Sequence, residues 1–166
     1  MGNRYTGPQQ PADAMRLTSK ILPVGNIVVD LDVSSKKRAF EQAGLLFENH
    51  HGIGRAVVFD ALFAREKLGS AGLGQGIAIP HGRIGGLKDA VGALFRLRTP
   101  VPFDAPDGLP VSVLFVLLVP EQATEKHLQL LSELAQMFSS KSFRDQLAVA
   151  PDAAAVKELI DQCAVN

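Results

Sequence analysis

The longest apolar run of this chain, Val113–Val119, limits the folds that the chain can adopt. It has the length of a strand and falls well short of the roughly 18–20 apolar residues that a membrane-spanning helix needs. Extended back to Val111, the segment is apolar at nearly every position, which is typical of a strand buried on both faces of a sheet. The run therefore predicts a sheet covered by helices.

The rest of the chain alternates loosely between helical and strand-like patterns, which predicts an α/β fold. The strands are predicted at about Asn26–Leu31, Ile77–Ile79, Ala90–Leu97 and Val111–Val119. The helices are predicted at about Lys36–Phe47, Arg55–Leu68, Glu125–Phe138, Ser142–Ala148 and Asp152–Cys163. Periodicity alone leaves the order of the strands open.

Capping residues indicate where several of these elements begin and end. Ser34 or Ser35 can cap the first helix, Thr124 can cap the helix from Glu125, and Gly69 follows the second helix as a stop. On two of the helices, apolar residues recur at helical spacing and are predicted to be buried: Phe40, Ala43, Leu46 and Phe47 on the first, and Leu128, Leu131, Ala135 and Phe138 on the helix from Glu125. The loop between the last two strands is marked by prolines at 100, 102, 106 and 110.

Composition bounds the class of function. The chain has 166 residues, of which 46% are hydrophobic and 20% are charged, as in one globular domain. Its 17 basic and 17 acidic residues cancel, which argues against nucleic-acid binding, and no apolar run suits membrane insertion. A single cysteine, Cys163, excludes an internal disulfide and suits the cytoplasm. We expect residues 1–16 to form a flexible tail and residues 17–166 to form the folded domain.

Among the four histidines, His81 has the most unusual context because it follows a strand-like run and lies between Pro80 and Gly82. Gly82 is expected to permit unusual backbone angles and the close approach of a partner's backbone or a phosphate. We therefore predict a strand end followed by a turn that presents the imidazole outward. A neutral imidazole is a competent nucleophile near pH 7. The residues leave open the alternative of a loop histidine that only forms a hydrogen bond.

His127 and Arg65 are two further candidates. His127 lies near the predicted start of a helix, where the free N–H groups favour a neutral ring and would stabilise a phosphoryl group. A histidine packed at the helix edge is the alternative. Arg65 can pair with a phosphoryl group in a bidentate manner or can be a solvated helix end. The glycine-rich segment Gly69–Gly76 lacks the ending of a P-loop, so it is either a flexible connector or a bare surface for a partner.

Metal and hydrolase chemistry have little support in the sequence. HxxxH, HExxH and GxSxG patterns are absent, and the side chains of the adjacent His50 and His51 would diverge. We therefore predict neither a metal nor another cofactor, and keep a histidine-based metal site or hydrolase as the least supported hypothesis.

Three segments carry a resemblance to a known family: Arg65–Ser70 (REKLGS), Gly76–Gly82 (GIAIPHG) and Glu125–Leu128 (EKHL). Together they resemble the IIA domains of the mannitol/fructose type from the bacterial phosphoenolpyruvate-dependent sugar phosphotransferase system (PTS). Arg83 after the PHG motif and the stretch Leu118–Pro120 resemble the nitrogen-regulatory branch of that family. The resemblance extends from about Leu17 to the C-terminus.

This resemblance implies the mannitol-type enzyme IIA fold, a small mixed parallel and antiparallel sheet flanked by helices on both sides. It implies that His81 is phosphorylated at Nε2 by the phosphohistidine of an HPr-like carrier of the nitrogen system. His127 corresponds to a second active-site histidine that hydrogen-bonds the phosphoryl group, and Arg65 to an arginine that binds or orients it. Ala71 stands where the branch usually has threonine, which removes one possible hydroxyl contact.

The resemblance also implies a cytoplasmic phosphotransferase that works without a cofactor, because the donor's phosphoramidate bond already carries the driving force. Its output would be control of target proteins, such as potassium-transport components, through its phosphorylation state. The alternative is a regulatory module of the same fold that docks onto its targets without phosphotransfer.

Overall fold

The computed structural model describes residues 17–122 and 125–165, which form six helices and a sheet of six strands. Helix α1 occupies residues 17–21, and a short 3-10 turn covers Val24–Asn26. The strands are β1 (Ile27–Leu31), β2 (Gly72–Gly74), β3 (Ile77–Ala78), β4 (His81–Ile84), β5 (Val91–Val101) and β6 (Val111–Pro120). The other helices are α2 (Lys36–His51), α3 (Arg55–Glu66), α4 (Glu125–Ser139), α5 (Lys141–Val149) and α6 (Ala153–Val165).

Strand β6 lies at the centre of the sheet, in the order β1-β5-β6-β3-β2. It pairs antiparallel with β5 and parallel with both β3 and β4, while β1 runs parallel to β5. The sheet is therefore mixed, as the resemblance implies.

The alternating side chains of β6 enter two separate cores. Leu114, Val116 and Leu118 pack with residues of α2 and α3 on one face. Phe115, Leu117 and Val119 pack with residues of α4, α5 and α6 on the other face. Helices thus cover both faces of the sheet, which confirms the prediction made from the apolar run.

Strands β3 and β4 follow each other along the same edge of β6. His81 is paired with Leu117, and Arg83 is paired with Val119. Paired residues of neighbouring strands share a face, so His81 and Arg83 point to the α4 side of the sheet. Gly82 and Ile84 consequently face α3.

The prediction of a turn at His81 is wrong, because His81 is the first residue of β4. The chain remains extended past Pro80, whose carbonyl accepts a hydrogen bond from the Leu117 amide at 2.9 Å. Gly82 does not adopt a positive φ and is buried. A Cβ atom at Gly82 would lie 2.9 Å from the Cβ atom of Ala61, so the glycine permits α3, rather than a partner, to approach closely.

The glycine-rich segment is neither a free connector nor a bare surface along its whole length. It contains β2, which pairs antiparallel with β3. A Cβ atom at Gly72 would lie 2.8 Å from the Cβ atom of Ala105, so this glycine is needed for packing. Helix α3 also ends at Glu66, two residues before the predicted Leu68.

The predicted buried face of α4 is partly wrong. Leu128 is 65% exposed, whereas the residues of this helix with exposed fractions of 5% or less are Leu130, Leu134, Met137 and Phe138. The helix carries leucines at several neighbouring positions, so spacing alone did not choose the face. The predicted cap Thr124 and the predicted tail over residues 1–16 lie outside the described residues.

Two further boundaries differ from the predictions. Pro100 lies within β5 rather than in the following loop, at a point where the pairing register with β6 shifts between Arg96 and Val101. Helix α2 is capped as predicted by Ser35, which accepts a hydrogen bond from the Arg38 amide at 3.1 Å. It continues to His51 and ends at Gly52, whose φ of 68° is left-handed.

Candidate active site

A cleft of about 480 Å³ lies where strand β4 meets the end of α3 and the start of α4. His81, His127 and Arg65 all line it. The sequence predicts each of these residues as a candidate, and the fold brings them together from three different elements. The cleft opens at the edge of the sheet, because β4 pairs only with β6 among the described strands.

The His81 ring is oriented by its own backbone. Its Nδ1 atom lies 3.2 Å from the carbonyl oxygen of Ile79. A carbonyl oxygen only accepts hydrogen bonds, so Nδ1 carries the proton and Nε2 carries the lone pair. The side chain is half-buried, less open than the outward presentation that the sequence predicts.

The surroundings of His81 favour the neutral ring. Burial lowers the pKa of His81 below its ordinary value because the imidazolium loses hydration. The hydrogen bond to Ile79 and the charge of Glu66 act in the opposite direction, while the charges of Arg65 and Arg83 lower the pKa further. The result is a neutral nucleophilic nitrogen in a cleft with two nearby cations.

Arg65 is half-buried at the end of α3, where its Nη1 atom donates a hydrogen bond to the Gly69 carbonyl at 2.9 Å. This bond directs the guanidinium group while leaving its other N–H groups available to a ligand. His127 is half-buried in the first turn of α4 and borders the cleft on the side of β4 opposite to α3.

Sequence reasoning did not name Arg83 as a site residue, although Arg83 also lines the cleft. The signal was the two-residue period of a strand, which places residues 81 and 83 on one face. This signal was missed because the residues after Pro80 were predicted to form a turn rather than a strand. Leu68 and Leu128, which are 84% and 65% exposed, flank the same cleft.

The remaining features that the sequence singled out lie elsewhere. The His51 Nε2 and His50 Nδ1 atoms each contact the buried side chain of Asn26, at 2.7 and 3.2 Å. The described residues contain no group of three or more His, Cys, Asp or Glu side chains suited to a metal ion. Within the same residues, no helix has the length and hydropathy to cross a membrane.

Comparison with known proteins identifies the family. The profile of the family described as "Phosphoenolpyruvate-dependent sugar phosphotransferase system, EIIA 2" matches residues 20–163. The chain belongs to the EIIA 2 family. Its relatives in this family include the nitrogen regulatory protein of Pseudomonas aeruginosa, which is 46% identical over 142 residues, or 85% of this chain and 92% of that protein. The nitrogen regulatory protein of Escherichia coli is 44% identical over 117 residues, or 70% of this chain and 72% of that protein.

Solved structures of EIIA proteins have the same fold. The nitrogen regulatory protein IIA-Ntr of Neisseria meningitidis superposes with a TM-score of 0.83 at 57% identity, covering 87% of this chain and 99% of that one. IIA mannitol of Escherichia coli superposes with a TM-score of 0.70 at 22% identity, covering 83% of this chain and 97% of that one. The predicted mannitol-type IIA fold and the resemblance to the nitrogen-regulatory branch are confirmed. As an EIIA 2 member, the chain is a phosphotransfer component of the PTS.

Proposed function

We propose that this EIIA chain is a phosphocarrier that accepts a phosphoryl group on Nε2 of His81 from the phosphohistidine of an HPr-like protein. The hydrogen bond between His81 Nδ1 and the Ile79 carbonyl is the observation that carries the proposal. It leaves the lone pair on the nitrogen that must attack, and burial and the nearby arginines keep that nitrogen unprotonated.

In the transfer step, the P–N bond of the donor breaks and a P–N bond to His81 Nε2 forms. The donor imidazole leaves with the electron pair of the broken bond, and the proton on His81 Nδ1 stays there, hydrogen-bonded to the Ile79 carbonyl. Charge spreads over three equatorial oxygens in the loose transition state, so the protein's task is alignment and charge stabilisation.

We assign that task to the other residues of the cleft. Arg65 supplies a cation whose guanidinium group is held in place by its hydrogen bond to the Gly69 carbonyl. His127 lies in the first turn of α4, where its ring N–H and the helix N-terminus favour an anionic group. Exposed Leu68 and Leu128 provide an apolar rim on which the carrier can dock.

The phosphorylation state is then the signal that regulatory target proteins read. The names of the relatives, which are nitrogen regulatory proteins, support a regulatory output. Potassium-transport components are candidate targets on the family resemblance, and the composition, with its single cysteine, is compatible with action in the cytoplasm. A pull-down that compares wild type with His81→Ala and His81→Asp would identify targets and the state they prefer.

The decisive experiment is phosphate incorporation from labelled phosphoenolpyruvate through the upstream carriers. We expect an acid-labile, base-stable phosphate on the wild type and none on His81→Ala, while His50→Ala, a control outside the cleft, is labelled normally. We expect His127→Ala to slow the transfer by about 100-fold, as for loss of one donor to a developing anion. Label on His81→Ala would refute the site, and an unlabelled wild type would favour docking without phosphotransfer.

A further inference from the structure

Glu66 is a nearly buried carboxylate beside the cleft for which the proposed transfer gives no role. Its side chain is only 6% exposed, although it follows Arg65 directly. Oε2 forms an ion pair with Lys36 Nζ at 2.8 Å, and Oε1 accepts a hydrogen bond from the Ala71 amide at 3.2 Å. Charged groups are seldom buried unless they are paired, so Glu66 is held in one place.

These contacts close the loop that follows α3. Glu66 directly precedes residues 67–70, and Ala71, whose amide Glu66 binds, directly follows them. Within the closed loop lies Gly69, whose carbonyl accepts the hydrogen bond from Arg65 Nη1. The carboxylate therefore fixes the backbone carbonyl that directs the guanidinium group of Arg65.

Lys36, the cationic partner of Glu66, is anchored against the core. Lys36, in the first turn of α2, is 18% exposed, and its Nζ atom lies 4.8 Å from the centre of the buried Phe103 ring. The Phe103 carbonyl in turn accepts a hydrogen bond from Ser70 Oγ at 2.6 Å. The loop is thus tied at Ser70 to Phe103 and at Ala71, through Glu66, to Lys36, and neither Phe103 nor Lys36 lines the cleft.

We propose that Glu66 is a positioning residue for the phosphoryl transfer, acting through the loop carbonyl of Gly69 on the guanidinium group of Arg65. This inference rests on the proposed function, because it assigns Glu66 a part in the same reaction. Glu66 does not contact the phosphoryl group in this scheme. Removing it should impair the alignment of Arg65 with the transferring group and leave the docking of the carrier intact.

The test compares the full-length chain with Glu66→Ala, Glu66→Gln and two control variants, Glu48→Ala and Glu48→Gln. Glu48 ties the opposite end of α3 in a similar way: it accepts hydrogen bonds from the Arg55 amide at 2.9 Å and from Arg55 Nε at 2.8 Å. The phosphorylated HPr-like carrier is the donor, and kcat and KM for it are measured separately. Hydrogen exchange of the Ala71 amide reports on the loop without any phosphate chemistry.

For Glu66→Ala we expect kcat to fall by about 10- to 100-fold, the scale of a misaligned catalytic group, with KM nearly unchanged. The Ala71 amide should exchange at least about tenfold faster in this variant, because its acceptor is lost. Glu66→Gln retains an acceptor for that amide but loses the ion pair, so its kcat should lie between that of the wild type and that of Glu66→Ala. The Glu48 variants should keep both the wild-type kcat and the protection of Ala71.

A folded Glu66→Ala that loses the protection of Ala71 but keeps the wild-type kcat would overturn the proposal. If Glu66→Ala does not fold, Glu66→Gln decides, and a kcat equal to that of Glu48→Gln would overturn the proposal. A wild type that takes no phosphate would overturn both this inference and the proposed function. A labelled wild type together with an unaffected Glu66 variant would overturn the inference alone.

Discussion

At the scale of single residues, one hydrogen bond and the partial burial of the ring decide which chemistry His81 can perform. The Ile79 carbonyl selects the tautomer, and the half-buried position lowers the pKa of the ring. The two effects have separate consequences. The first chooses the nitrogen that can attack, and the second keeps that nitrogen unprotonated at neutral pH.

We expect an NMR titration to place the pKa of His81 below the ordinary histidine value of 6.5. The unfolded chain then binds more protons than the folded chain between the two values. The stability that the neutral ring contributes is therefore present above pH 6.5 and is lost as the pH falls through the folded pKa. Phosphoryl acceptance should likewise continue somewhat below pH 6.5 before it declines.

Replacing one of the neighbouring cations checks the cause of this shift. Arg65→Gln removes a charge that lowers the pKa of His81, so the pKa should rise. Arg38→Gln is the control, because Arg38 pairs with Glu41 on the exposed surface of α2. A His81 pKa at or above 6.5 in the wild type would contradict the electrostatic account of the site.

At the scale of elements, the close approach of α3 to β4 places Arg65 near His81. The approach depends on Gly82, where a Cβ atom would lie 2.9 Å from the Cβ atom of Ala61 and 3.1 Å from its carbonyl carbon. The second of these atoms belongs to the backbone, so the clash cannot be relieved by a side-chain rotation. A residue next to the PHG histidine therefore sets the position of a whole helix.

We expect Gly82→Ala to destabilise the fold by about 1–3 kcal/mol, the usual cost of adding a methyl group to a tightly packed core. The shift of α3 should also slow the phosphoryl transfer, because it moves Arg65 away from β4. Chemical denaturation and transfer kinetics measure the two effects. Gly54→Ala at the other end of α3 is the control, since a Cβ atom there would meet Val57 at an ordinary 3.7 Å; equal effects of both substitutions would argue against the packing explanation.

At the scale of the whole molecule, the cleft exists because β4 is an edge strand with helices on both faces of the sheet. Helix α3 reaches the cleft from one face with Leu68 beyond its C-terminus, and α4 reaches it from the other face with Leu128. Both leucines are largely exposed, so they contribute little to the core. Their position on either side of His81 suits a docking role instead.

We expect the double substitution Leu68→Ser and Leu128→Ser to leave the melting temperature unchanged and to raise KM for the carrier by about tenfold or more, with kcat retained. Val149→Ser is the matched control, because Val149 is 79% exposed on α5, away from the cleft. An unchanged KM in the double variant would place the docking surface elsewhere. A lowered melting temperature would show that the leucines support the fold.

Much of the fold could be predicted because its signals are local. The face of α2 that carries Phe40, Ala43, Leu46 and Phe47 is buried, as its spacing predicts. Strand β6 is buried on both faces, as its continuous apolar run predicts. The family resemblance added His127 and Arg65 as partners of His81, a grouping that no local pattern contains.

What the sequence determined by itself is the five longer helices, four of the six strands and the chemical identity of the candidate site residues. Only the tertiary structure decided that His81 begins a strand, that Gly82 serves the packing of α3, and that Leu128 faces solvent. The physical reason is that periodicity describes one element at a time. Hydrogen bonding to a distant strand, steric fit between a helix and a sheet, and the choice among several apolar faces depend on residues far apart in the chain.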